Sequence, residues 1–245
     1  MNSLVLEFLI IFFLCLFQSI FGIGLLLFGT PTFLILGYGF TSTLALLLPV
    51  SITISFLQLI YRISLKKKQI IEFNIYTIPV LFIFLIISIN TSFIDIKLCV
   101  AILLIVSSLI TLSKNKIIFR KKHIIKYRKY YLIFIGSIHG FTNMGGGFLS
   151  IFSSLINGDN KFLARNYIAY GYFIMGIIQY ISIIFLDKSS IDFARWYYII
   201  LPIFIFFPAQ KIFKIINNFM FIKVINYVAF FYGLTTLFFI FKKTY

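Results

Sequence analysis

Two short runs in this chain hold the residue types that could do chemistry on a small solute. One is Gly22-Ile-Gly24-Leu-Leu-Leu-Phe-Gly29-Thr-Pro31; the other is His139-Gly140-Phe-Thr142-Asn143-Met-Gly145-Gly146-Gly147. Glycine is permissive in backbone angle, and three in succession weaken a helix. A helix that restarts after a break offers orphan N–H groups and the positive end of its dipole, together a seat for an anion. Thr142 and Asn143 add neutral donors beside the second run. His139 lies one helical turn before Asn143, where a neutral imidazole could donate to an anion or relay a proton. Gln18, a turn before Gly22, could serve the first run in the same way. Each feature also has a plainer reading. Small residues allow close helix packing, and a buried histidine can simply bond a backbone carbonyl. Single glycines read better as packing, the Gly145–Gly147 run reads better as a functional break, and for His139 both readings stand.

Arg165 is a further candidate. At about 100° per residue, Tyr172, Gly176 and Gln179 fall on nearly its face of a helix, a polar stripe on an apolar segment. Arginine is always charged and suits oxyanions; the alternative is an arginine snorkelling to a membrane interface. Acids are scarce. Glu7 stands near the start of the chain, and the other five Asp and Glu fall in loops or at segment ends. Carriers of protons and cations rely on intramembrane carboxylates, so this pattern argues for an anionic solute. The sequence holds no phosphate loop, metal-binding His pair or nucleophile–base arrangement. It therefore gives no reason to expect an enzyme, a metal site or a cofactor. Cys15 and Cys99 stand alone in apolar stretches and suggest neither a disulfide nor a metal cluster.

The elements that must position these residues are transmembrane helices. Of 245 residues, 61% are hydrophobic, against the 45–50% or so of soluble domains, and the mean hydropathy is +1.06. The apolar runs are nearly continuous and approach twenty residues, the thickness of a bilayer core. A barrel would instead show short alternating segments. The expected fold is all-α and integral to the membrane, with about eight segments. They run near 4–36 (broken at Gly22, Gly24 and Gly29), 41–61, 75–89, 94–112, 130–156 (broken at Gly145–Gly147), 164–186, 194–207 and 221–241. The first lacks the basic flank and cleavage site of a signal peptide and is expected to stay.

The formal net charge is +16, from 22 Lys and Arg against 6 acids. The bases sit between apolar runs, which fits loops that set topology and touch anionic lipid better than a nucleic-acid surface. The strongest groups are Arg62 with Lys66, Lys67 and Lys68, and Lys114, Lys116, Arg120, Lys121, Lys122, Lys126, Arg128 and Lys129. The second divides the chain into a first membrane repeat (1–113), a basic cytoplasmic loop (114–129) and a second repeat (130–245). Each half opens with a glycine-broken segment followed by three plainer ones. Sliding the chain by 118 positions pairs Ser19 with Ser137, Ile20 with Ile138, Gly22 with Gly140 and Gly29 with Gly147. Repeats with broken helices in matching places point to a transporter with its site near the midplane. If every segment crossed once, Lys211, Lys214 and Lys223 would fall outside, against the charge rule. Hairpins at the two broken segments would return them inside and leave three crossings per half. The halves would then be inverted in the membrane.

Ser137-Ile-His-Gly-Phe-Thr-Asn-Met-Gly-Gly-Gly-Phe148 resembles the second-half motif of the sulfite-exporter (TauE/SafE) family, and Lys161-Phe-Leu-Ala-Arg165-Asn166 resembles a downstream basic stretch of it. Phe21 to Pro31 is similar to the first-half motif; it keeps the proline and has lost most of the glycines. The resemblance implies a permease without its own ATPase, taking sulfite, sulfonates or other small organic anions. It also implies a site of Gly145, Gly146 and Gly147 with Arg165, completed by Gly22, Gly24 and Gly29; Asn143, His139 and Gln179 join from their positions beside it. The expected function is a secondary transporter of a small anion working by alternating access, with a passive anion channel or a non-transporting scaffold as alternatives. The expected partners are the anion and the bilayer, and Phe-rich faces leave a homo-oligomer open. The bias toward Phe, Ile, Lys and Asn fits an AT-rich bacterial genome and a multi-pass protein of the inner (plasma) membrane.

Overall fold

The computed structural model describes residues 3–61, 65–91, 95–112, 121–157 and 160–244. Arg62, Lys114, Lys116 and Arg120 of the expected basic loops, and the expected boundary at 113/114, lie outside the described residues. Those residues are all-helical apart from turns and short connections: α1 (Ser3–Phe21), α2 (Leu25–Ile35), α3 (Phe40–Tyr61), α4 (Lys67–Asn90), α5 (Ile96–Leu112), α6 (Lys121–Lys126), α7 (Arg128–Thr142), α8 (Gly145–Asn157), α9 (Lys161–Leu186), α10 (Leu201–Ile215) and α11 (Asn218–Thr244), with 3-10 segments at Lys188–Ser190 and Phe193–Ile200. Five stretches are long and apolar enough to cross a membrane: Leu4–Phe21, Phe40–Tyr61, Lys67–Asn90, Lys161–Leu186 and Phe193–Ile215. The architecture is that of a membrane-embedded, multi-pass helical protein, because backbone polar groups at bilayer depth are satisfied within helices.

The two broken segments are hairpins. In the first, the Phe17 and Phe28 rings meet at 5.2 Å between centroids, and a Cβ built on Gly29 would lie 3.2 Å from Leu14 Cδ1. In the second, Phe134 meets Phe148 at 5.1 Å and Tyr131 meets Phe152 at 6.5 Å. Such pairs, drawing together across the break, require the chain to reverse. The reversal follows from residues that tolerate left-handed backbone. Gly22 has φ 76°, Gly24 φ 143° and Asn143 φ 63°. Two sequence expectations are corrected here. The second break falls at Asn143–Met144, and Gly145, Gly146 and Gly147 form the first turn of α8 rather than the break itself. Gly29 lies inside α2, where it admits Leu47 and Leu14 to the helix surface. At about 1.5 Å per residue, α2 is about 17 Å long and α8 about 20 Å, short of a bilayer core of about 30 Å.

Contacts at the helix ends sort the loops into two layers. In one, Tyr38 and Arg195 reach Glu7, and Thr41 meets Ser190. In the other, Gln69 meets Asn157, Arg128 pairs with Glu72 at 2.5 Å, and Lys161 Nζ donates to the carbonyls of Phe213 (2.8 Å) and Lys214 (3.3 Å). The second layer therefore holds the bases around Lys66–Lys68, Lys126–Lys129, Lys161 and Lys214. At this basic end the helices outrun the apolar spans: α4 begins at Lys67 rather than near Ile75, and α10 runs to Ile215 rather than Phe207. Its polar turns extend the helices past the hydropathy limit and are tied by the ion pair and carbonyl contacts just named.

The interior pairs helices across the two halves. α4 packs along α7, α3 along α9, α5 along α11, and α1 along α10. The α4–α7 contact runs through Gly136 and Gly140, whose missing side chains admit the Thr77 and Leu81 carbonyls. This small-xxx-small spacing lets backbones approach closely.

Candidate functional site

The backbone ends at the first hairpin tip are taken up by neighbours, while Ser19 Oγ and Gln58 Oε1 there lack hydrogen-bond partners among the described residues. Gln18 caps the start of α2, its Oε1 accepting from Leu25 N at 3.2 Å, and its Nε2 donates to Ser51 Oγ at 2.9 Å. The last carbonyls of α1, orphaned by helix geometry, are taken up in turn. Gln18 O accepts from Gly22 N (2.7 Å) and Gln58 Nε2 (2.9 Å), Ser19 O from Gln210 Nε2 (3.2 Å), and Ile20 O from Arg165 Nη1 (3.5 Å). Arg165 Nη2 also donates to Gln210 Oε1 at 2.7 Å, and the guanidinium lies 3.7 Å from the Phe213 ring centroid. The group is 2% exposed, so it does not snorkel. A cation at the negative end of α1 is a favourable charge–dipole arrangement. The structure does not bring Arg165 to Gly145–Gly147. Its neighbour is Gly22, where a Cβ would lie 2.7 Å from Arg165 Cγ, while Gly24 is packed under Phe17. The expected single site of glycine run plus Arg165 is therefore divided between the two tips.

The second tip is built alike and holds more unpartnered polar atoms. Asn143 N donates to His139 O at 2.9 Å, and Gln179 Nε2 reaches the same carbonyl at 3.4 Å. Asn143 Nδ2 donates to Thr30 Oγ1 (2.8 Å), Met144 N to Thr142 Oγ1 (3.3 Å), and Ser88 Oγ to Phe141 O (2.8 Å). His139 packs edge-on to Tyr172, with centroids 5.8 Å apart. A Cβ on Gly145 would lie 2.5 Å from His139 Cβ, one on Gly146 would collide with the Tyr172 hydroxyl, and one on Gly147 would lie 3.1 Å from Ser107 Oγ. The glycines thus let His139, Tyr172 and Ser107 crowd the N-terminal turn of α8. His139, Asn143, Tyr172 and Gln179 are each 0% exposed. By bond geometry, both ring nitrogens of His139, Asn143 Oδ1, Tyr172 OH and Gln179 Oε1 lack hydrogen-bond partners among the described residues, although the Gln179 amide lies near enough to the His139 ring to interact with it. Unsatisfied buried polar groups are costly, and these atoms cluster beside the N-terminal turn of α8.

The structure brings His139, Asn143, Gln179 and Gly145–Gly147 together, and separates Gly22, Gly24 and Arg165 from them; Gly29 joins neither tip. Sequence reasoning placed Tyr172 on the polar stripe but not in the site. It passed over Gln58, Gln210, Ser51 and Thr30. One signal was present: Gln58 follows Gln18 by 40 residues and Gln179 follows His139 by 40. Among the described residues no group of three or more His, Cys, Asp or Glu could hold a metal ion.

In the Glu7 layer, Arg195 bridges Glu7 and Asp192, both at 3.0 Å, and Tyr38 OH donates to Glu7 at 2.6 Å. Tyr38, Asp192 and Arg195 of this cluster line a cavity of about 300 Å³ with Ser42, Ser189 and Ser190. Asp187, in the loop behind it, accepts from Ser189 and Ser190. Bonds from Ser190, Thr41 and Ser189 hold its carboxyl below the usual range. No family model, curated protein or solved structure matches the chain.

Proposed function

We propose that the chain is a secondary transporter of a small anion, working by alternating access between two halves. The observation that carries this reading is the second hairpin tip, where a helix N-terminus meets five unpartnered, fully buried polar atoms. A dipole end with orphan donors selects negative charge, and neutral His, Tyr, Asn and Gln bind without trapping it. Irregular backbone at such depth is tolerated where it lines a solute cavity.

The halves are α1–α5 and α7–α11, each a hairpin followed by three crossings, so that eight segments stand in two inverted repeats. The helix pairing supports this, because exchanging the halves maps α1–α10 onto α7–α4 and leaves α3–α9 and α5–α11 unchanged. The tip geometry supports it at a spacing of 121 rather than 118. Gln18 then corresponds to His139, Gly22 to Asn143 and Gln58 to Gln179, and in both tips a left-handed residue and a glutamine share one carbonyl. Inverted repeats are a common plan for carriers. The basic layer faces the cytoplasm by the positive-inside rule, with the protein in a bacterial plasma membrane. The sulfite-exporter-like motif around Gly145 supplies the solute class: sulfite, a sulfonate or a related organic acid.

The test is counterflow in proteoliposomes, with labelled sulfite outside and unlabelled competitors within. A carrier gives saturable, transient accumulation. A channel gives only equilibration, and a scaffold gives neither.

A further inference from the structure

Between α5, α6, α7 and α8 lies a cavity of about 530 Å³, within the range of about 300–1,000 Å³ that small-ligand sites take. Its floor holds buried Ile124, Ile135 and Phe152, and its rim holds exposed Val106, Tyr130 and Phe134. It is therefore a groove that opens sideways from the helix bundle, toward the bilayer. Along α7 it runs from Tyr127 to Ile135, about 12 Å, and Phe134 meets Phe148 of α8 at its inner end. That length fits within one leaflet, about 15 Å or half of the hydrocarbon core. The lining is apolar except toward the basic layer, where His123, Tyr127, Tyr130 and Tyr131 stand at the mouth. Tyrosines at this level match the aromatic belt of a membrane interface.

An apolar trough within one leaflet, with polar groups only at its interfacial end, fits an amphiphile. The charge at the mouth selects its headgroup. Lys126 Nζ lies 5.1 Å from the ring centroid of Tyr127, a residue of the groove. The neighbouring bases face elsewhere: Arg128 pairs with Glu72, and Lys129 leans on Tyr76 of α4 at 5.4 Å. Basic groups beside a groove between membrane helices recognise anionic lipid. We propose that this groove binds an anionic phospholipid, one tail lying on Ile124, Ile135 and Phe152 and the phosphate seated at Lys126, with the His123 ring as a donor beside it. The tail would then brace the two arms of the second hairpin where Phe134 meets Phe148. A second copy of the chain fits the groove less well, because isologous pairing through this face sets its bases against the same bases. A small free anion gains nothing from the apolar walls. The inference needs only the membrane fold and does not rest on the transport reading.

The experiment uses the full chain in neutral detergent. Trp196→Phe removes the lone tryptophan, and Phe134→Trp places a reporter at the inner end of the groove. Phosphatidylglycerol and phosphatidylcholine with the same brominated tails are titrated in, and each quenches a tryptophan that its tail touches. A control reporter, Phe207→Trp, stands exposed on α10, whose basic end carries Lys211 and Lys214. The groove reporter should be half-quenched at about fivefold less phosphatidylglycerol than phosphatidylcholine, the preference that one lysine near the surface confers. Lys126→Gln should erase that preference and Lys129→Gln should keep it, while the control reporter should respond to both lipids alike. The parent protein, with its own tryptophan, gives a second reading: unlabelled phosphatidylglycerol should raise its Tm more than phosphatidylcholine does, and should lose that advantage in Lys126→Gln. Equal quenching of the groove reporter by both lipids overturns the proposal, as does the same preference at the control reporter or a preference that survives Lys126→Gln. Quenching at Phe207→Trp with none at Phe134→Trp also overturns it, and a dimeric mass in detergent would then give the groove to a second copy. No readout here requires transport, so failure of this proposal leaves the transport reading standing.

Discussion

Replacing Gly140 by alanine should destabilise the protein through one backbone contact. A Cβ at this position would collide with the Leu81 carbonyl oxygen and lie 3.0 Å from its carbon and 3.1 Å from Leu81 Cα. The obstacle is the backbone of α4, which cannot rotate aside, so relief requires α4 and α7 to separate along their whole contact. Alanine returns about 1 kcal/mol of helix propensity over glycine. Overpacking a closely fitted contact costs about 1–3 kcal/mol, and more where nothing flexible can yield. The net expectation is a loss of about 2 kcal/mol, or a fall in Tm of about 4–8 °C for a domain of this size. Thermal unfolding of detergent-purified protein, followed by circular dichroism, gives the comparison. Gly136→Ala, whose Cβ would lie 2.5 Å from the Thr77 oxygen, should behave alike; Gly39→Ala, with only Ser42 Oγ at 3.8 Å, should stay within about 0.5 kcal/mol of the parent. A Gly140→Ala protein as stable as the parent would refute the close α4–α7 approach.

Other perturbations separate structure from function. Arg165→Ala should lower Tm by about 4–8 °C, because it removes the charge-assisted bond to Gln210 and the cap on Ile20 O, together worth about 2 kcal/mol; unchanged stability would return Arg165 to a purely solute-facing role. Arg195→Ala leaves the Glu7 carboxylate, 2% exposed, without its ion-pair partner. The cost should be about 3 kcal/mol, the low end for a broken buried pair, since Tyr38 still donates. Asp187 stabilises the folded loop above about pH 4, where an ordinary aspartate is already ionised, and that contribution is lost as pH falls through its lower folded value. Acid loosening of the Thr41–Ser190 contact, read by hydrogen exchange, should therefore be absent in Asp187→Asn. In a background lacking Cys15 and Cys99, Ser189→Cys and Lys214→Cys should react with impermeant reagent from opposite sides, with Lys214→Cys on the cytoplasmic side. Both reacting from one side would end the two-hairpin topology.

Hydropathy made the helices legible, and the glycine clusters marked both breaks to within a few residues. What the sequence could not show was direction. A glycine break permits a reversal or a kink equally, and only cross-break pairs such as Phe17 with Phe28 and Phe134 with Phe148 decide between them. The role of each glycine was hidden for a related reason. Gly145–Gly147 looked like the break, yet Asn143 makes the left-handed turn and the glycines serve His139, Tyr172 and Ser107. Arg165 shows the limit of helical periodicity. Its stripe with Tyr172 and Gln179 is real and wholly buried, but a stripe on one long helix touches two tips, and spacing alone does not say which residue serves which. Residue identities align the two halves at 118. The tips instead correspond at 121, through functional pairs such as Gln18 with His139 that share no identity.

The central claim is that the second tip binds the solute, and the most direct measurement is counterflow by Tyr172→Phe beside Tyr170→Phe at matched insertion. The two tyrosines sit on one helix. Tyr172 OH is unpartnered inside the tip, and Tyr170 OH is bonded to Asn74 on the outside. Loss of one hydroxyl that binds an anion should lower transport about tenfold or more, with Tyr170→Phe near the parent rate. Equal rates in all three proteins would place the solute elsewhere and contradict the account.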